Sequence, residues 1–168
     1  MNIDKLTAVV EKQEELLCFP RFGRKDAWGL GNEAVKIILE HNHPMSVNIR
    51  LPSGLTVFQY LAEGSTADNQ RWMDRKFNTV RDFEKSTLLF TLGLLKRRQK
   101  SLKERGLDPE YYAWGGGGFP IRIKDSGLAA VFTVSGLPGL EDHAVLVNAA
   151  AAFLKAAGVP PFPVNIKI

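Results

Sequence analysis

Three stretches of this sequence set chemistry-bearing residues at spacings that an ordinary surface does not need. The first, "YYAWGGGGFPIRI", carries four consecutive glycines (Gly115, Gly116, Gly117, Gly118) behind Trp114 and ahead of an alternating, strand-like run. A P-loop needs Lys-Ser or Lys-Thr after its last glycine, and a dinucleotide fingerprint needs a helix there. Phe119-Pro120 and a strand pattern occupy those places, so both nucleotide readings fail. What remains is steric. Glycines accept positive φ and allow a second backbone, or a ligand, to come close. The run therefore reads either as a tight entry to a strand or as the wall of a pocket.

The second stretch, "NQRWMDRKFNTVRDF", has helical periodicity, with Trp72, Met73, Phe77 and Val80 forming an apolar stripe. Lys76 falls inside that stripe and Arg75 on its border. An ammonium buried without a partner costs on the order of several kcal/mol, so Lys76 must reach solvent, an acid or an anionic ligand. The third stretch, "VSGLPGLEDH", ends a strand near Val134 and Ser135, bends at Gly136, and starts a helix. The unpaired N–H groups of such a helix start favour an anion, unless Glu141 and Asp142 already satisfy them. His143 follows in the first turn as the candidate general acid/base. It has no histidine or cysteine spaced as a second metal ligand, and His41 and His43 do not share a helical face, so no metal site is expected. No nucleophile stands beside a base: Ser135 lacks a nucleophile elbow, and Cys18 reads as core.

The totals narrow the class. At 168 residues the chain is expected to be a single domain, residues 1–168, with residues 158–168 as a proline-rich arm laid on the body or on another subunit. Its 45% apolar and 24% charged content is that of a globular protein. No apolar run nears the roughly 20 residues of a membrane helix, so no membrane partner is expected. A single cysteine precludes an intrachain disulfide, which fits a cytoplasmic location. The net charge of +4 comes largely from residues 96–105. That run reads as a solvated helix end, and with no nucleic-acid motif beside it, no nucleic acid is expected as a partner.

The elements that must carry these groups follow in order. Helices are expected over residues 3–17 and from Asp26, as N-cap, to the "HNHP" segment, with His41 on the apolar side of the second. "MSVNIRL" and "LTVFQYLA" make a hairpin about Pro-Ser-Gly. Two helices follow, one from Asp68 or Asn69 to Phe83 and one capped by Ser86 and running to Arg105. A second hairpin turns at Asp125-Ser126-Gly127, and a last helix runs to Ala157. Hairpins separated by helices describe an α/β (α+β) fold in which helices pack on an antiparallel sheet.

Taken together, "W-x2-RK-x3-V-x2-F-x2-S" (Trp72, Arg75, Lys76, Val80, Phe83, Ser86), "GG-x-FPIR" and "TVSGLP-x3-DH" resemble the uncharacterised protein family numbered 0303. That family is similar to the HbpS- and GlcG-like, haem-degrading domains, and the resemblance spans nearly the whole chain. It implies a profilin-like antiparallel sheet of about five strands with flanking helices, and a homo-oligomer built from dimers. It brings haem or another tetrapyrrole forward as the candidate cofactor, without a settled activity. The family's glycine segment usually carries a histidine before the Gly pair and a small polar residue after it; here those positions are Gly115 and Gly118.

The expected function is binding of a small anionic molecule. Its pocket would be made by Trp72, Arg75, Lys76, Trp114, the four glycines, Ser135, Gly136, Asp142 and His143, with Arg75 and Lys76 meeting the anion and the two indoles giving flat contact. An enzyme using His143, or an oligomeric partner-binding protein without a ligand, are the alternatives.

Overall fold

The computed structural model describes residues 2–42 and 44–162. Helix α1 (Ile3–Leu16) starts at Asn2, whose side chain accepts from Asp4 N–H, and α2 (Arg24–His41) follows. The hairpin β1 (Ser46–Arg50) and β2 (Thr56–Leu61) precedes α3 (Ala67–Phe83) and α4 (Thr87–Lys96). A second hairpin, β3 (Gly118–Ile123) and β4 (Gly127–Ser135), leads into α5 (Gly139–Leu154). The strands form one antiparallel sheet in the order β2-β1-β4-β3.

Register decides what each face of the sheet can hold. Val47, Ile49, Phe132, Val134, Phe119 and Ile121 point to one side, where they pack with Leu30, Ala34 and Ile38 of α2 and with Val145, Leu146 and Ala149 of α5. The other side presents Ser46, Asn48, Thr133 and Ser135 to α3, an unusual set for a covered face. Asn48 and Thr133 satisfy each other across the pair at 2.6 Å. Phe77 and Val80 of α3 close over Val131 further along. Small and polar residues on this side leave room beside α3, and the cavity described below lies at that end. A third layer is made where α1 and α4 join Leu6 and Val10 to Leu88 and Leu92, with Phe162 beside them.

Several expectations need correction. About five strands were implied, and the described sheet has four. Where a fifth would add to β3, Phe19 makes a one-residue parallel bridge to Ile123, giving its N–H to Arg122 O and accepting from Lys124 N–H. Pro20 comes next and has no N–H to continue a ladder. Helix α2 is capped by Gly23, and Asp26 sits three residues inside it, accepting from Gly23 N–H at 2.8 Å. His41 is exposed at its end.

Helix α4 stops at Lys96 instead of Arg105, because Arg98 takes φ 60° and its neighbours fold back onto Leu94 and Leu95 carbonyls. Residues 103–105 form a single 3-10 turn. Helix α5 ends at Leu154 instead of Ala157, through Lys155 in the left-handed region. Of the C-terminal arm, residues 158–162 lie on the body: Pro160 O accepts from Gln13 and Phe162 is buried. Residues 163–168 and His43 lie outside the described residues.

Candidate ligand cavity

Helix α3 is aimed by its own start. Thr66 and Asn69 cap it reciprocally, and the Asn69 amide reaches Ser135 O, tying the helix to the end of β4. Lys76, two turns on, then points inward. Its ammonium donates to Val134 O at 2.8 Å and to Asp142 Oδ2 at 2.7 Å, while Asp142 Oδ1 accepts from Leu137 N–H at 3.0 Å. Lys76 and Asp142 are both buried. Burial pushes the Asp142 carboxyl above its ordinary value, against the opposing pull of the Lys76 charge, the Lys76 hydrogen bond and Leu137 N–H. The Coulomb gain of such a pair roughly balances its desolvation, yet removal of one partner leaves the other as an isolated buried charge.

The glycine run passes between this pair and the first turn of α5. A Cβ on Gly116 would lie 1.8 Å from Gly139 O, so only glycine allows the two backbones to touch. Gly117 has φ 103°, and a Cβ there would meet Lys76 Nζ at 2.5 Å and Val134 O at 2.8 Å. Hydroxyls hold the loop from outside. Thr91 accepts from Gly115 N–H and Thr87 from Gly118 N–H, while Thr79 donates to Ala113 O and accepts from Ala113 N–H. The run is thus both a strand entry and a close approach of backbones.

What these elements enclose is an open cavity of about 410 Å³. Of the residues singled out in the sequence, Trp72, Lys76, Trp114, Gly115, Gly116, Ser135, Gly136 and Asp142 line it. Asp68, Asn69, Leu137 and Gly139 complete the wall. Trp72 and Trp114 remain 39% and 38% exposed, so Trp72 belongs to the rim and not to the buried stripe of α3.

Four residues take other places. Gly117 lies beneath Lys76, and Gly118 packs against Val80 and Thr87. Arg75 lines a second cavity of about 350 Å³, of which Trp72 and Trp114 are also walls. His143 is fully buried behind Gly116, between Phe119 and Phe162. Its Nε2 is 2.9 Å from Gln13 Oε1, an atom that only accepts, so Nε2 carries the hydrogen and Nδ1 is an acceptor with no partner among the described residues. Burial holds its pKa at about 3.

Sequence reasoning missed Thr79, Thr87 and Thr91. The available signal was two threonines four apart in the otherwise apolar "TLLFTLGLL".

Set beside known proteins, residues 22–151 match the family described as "Haem degrading protein HbpS-like". The chain belongs to the HbpS-like family. Within it, curated relatives bear the name UPF0303 protein. One from Streptomyces avermitilis is 37% identical over 86% of this chain and 88% of its own length. Another from Serratia proteamaculans is 38% identical over 92% and 95%.

Among solved structures, Ybr137w superposes with a TM-score of 0.81 at 27% identity, covering 92% of this chain and 95% of its own. HbpS superposes at 0.62 with 21% identity (80% and 90% covered), and the PduOC:heme complex at 0.65 with 17% (78% and 94%); these last two speak for the fold alone. Among the described residues of this HbpS-like chain, no helix is long and apolar enough to cross a membrane.

Proposed function

We propose that the chain binds a small, flat organic acid in the 410 Å³ cavity, a class to which tetrapyrroles belong. One observation carries the reading: two half-exposed indoles stand over a floor made by a buried ammonium and an α5 start without a side-chain cap. An ammonium has three N–H donors, and Lys76 spends two on Val134 O and Asp142. The third serves a ligand acceptor at the cavity wall. Flat apolar contact comes from Trp72 and Trp114. Because Asp142 neutralises Lys76 and Asp68 adds a carboxylate to the wall, the cavity offers one Lys76 hydrogen bond and the uncapped start of α5 in place of a free cation.

The family description supports haem as one member of that class. Haem iron takes a His, Cys, Met or Tyr side chain. Among the described residues, none lining this cavity is of those types, and His143 is turned away from it with Nε2 engaged by Gln13. The donor set of the described residues therefore does not fit iron ligation, and the ring and its carboxylates are what they can recognise. For the same reason we give His143 no acid–base role.

Titration with protoporphyrin IX and with haemin, followed by tryptophan quenching, tests this. Both should bind one-to-one with affinities within about threefold, and haemin should lack the Soret shift of a strongly ligated iron. Haemin binding more than tenfold tighter, with such a shift, would overturn the iron-independent reading; failure of both to quench would remove the class.

We also propose that the chain assembles as a homo-oligomer built from dimers. Trp28 (68% exposed), Leu39, Leu55 and Leu61 form apolar surface around α2 and β2, whose outer edge has no strand partner among the described residues. Light scattering should show a multimer that Trp28→Glu dissociates.

A further inference from the structure

We propose that the second cavity is a subsite of the same ligand site, and that the ligand is an elongated flat molecule with an acidic group at each end. This rests on the reading above and extends it. Trp72, Arg75 and Lys76 stand at i, i+3 and i+4 of α3, so both cations are surface neighbours of one indole. Consecutive residues on a helix diverge by about 100°. Lys76 accordingly enters the first cavity and Arg75 the second, while Trp72 and Trp114 wall both. A molecule lying across the indoles would meet the Asp142-paired Lys76 ammonium on one side and the Arg75 guanidinium on the other.

The second cavity is equipped for such an end. Arg75 stacks on Trp72, its guanidinium carbon 5.0 Å from the ring centroid, and its side chain is only 20% exposed. Its acidic partner is weak: Glu110 is 83% exposed and 3.4 Å away, longer than the 2.7–2.9 Å of a strong charge-assisted bond. An incoming carboxylate can replace Glu110 with a bidentate contact to a guanidinium already oriented by the indole. Lys103 adds a second cation at the wall. Between the ends, Leu102 and the Tyr112 ring give apolar contact, with the Tyr112 hydroxyl already committed to Asp82 at 2.9 Å.

Calorimetric titration of the full chain with biphenyl-4-carboxylate and biphenyl-4,4′-dicarboxylate tests the proposal. The diacid should bind at least tenfold tighter than the monoacid. That gain, read as the ratio of the two affinities in each variant, should fall below twofold in Arg75→Gln, and in Ser101→Trp, which fills the second cavity. If the monoacid binds but the diacid gains nothing, or the gain survives Arg75→Gln, the subsite is wrong and the first cavity's role stands. If neither acid binds at millimolar concentration, both fall.

Discussion

Asp142 and His143 are consecutive residues of α5, and they face opposite surroundings. Asp142 turns to the sheet end, where Lys76 and Leu137 N–H meet its two oxygens beside an open cavity. His143 turns into the buried space between Phe119 and Phe162, where among the described residues Gln13 alone meets a ring nitrogen. A helical step of about 100° is enough to separate them. Gly116 is the partition, with its backbone against Gly139 and His143 behind it. The comparison teaches that ionisable side chains adjacent in sequence need not share a site. The charged pair belongs to a surface that can take a ligand, and the histidine belongs to the seal that keeps α1, α5 and the C-terminal arm together.

The sharpest way to break this contrast is to remove one charge from the side that borders the cavity. Lys76→Met should lower unfolding free energy in urea by about 3–5 kcal/mol, because Asp142 is left buried and unpaired. The double variant Lys76→Met/Asp142→Leu should regain most of it. A single variant as stable as wild type would show that the pair is not coupled.

Next, Gly117→Ala strains a residue at φ 103° against the Lys76 ammonium and Val134 O. It should cost about 2–3 kcal/mol, combining left-handed strain with displacement of the ion pair. Gly115 shares a positive φ but faces open space, so Gly115→Ala should cost clearly less.

The buried side is probed by pH. The unfolded chain protonates His143 near pH 6.5, whereas the folded chain resists until about 3. Stability from this group is present above 6.5 and lost as pH falls toward 3, by about 1.4 kcal/mol per pH unit. Asp142, with a raised carboxyl, acts in the opposite sense. The measurement is therefore the difference in slope between wild type and His143→Phe over pH 6.5 to 4.5. Equal slopes would mean that His143 is not held neutral.

Much of this arrangement was legible in the sequence. Alternation in "MSVNIRL" and in the strand after the glycines located both hairpins, and a lysine inside an apolar helical stripe announced that it must reach solvent, an acid or an anionic ligand. Asp142 as its partner was beyond reach, since the two are 66 residues apart and only the packing of α5 on the sheet joins them. His143 was drawn into the site by its place in a motif, and no local pattern marks which way a first-turn residue faces. The end of α4 was invisible because Arg98, not glycine, takes the left-handed conformation there.

That hidden stop gives the basic segment its position. Released from the helix after Lys96, the chain doubles back and hands Ser101, Leu102 and Lys103 to the mouth of the second cavity. It works as a collar set apart from the sheet: a change in its charge or length would alter the wall of that cavity without disturbing a strand of the scaffold beneath.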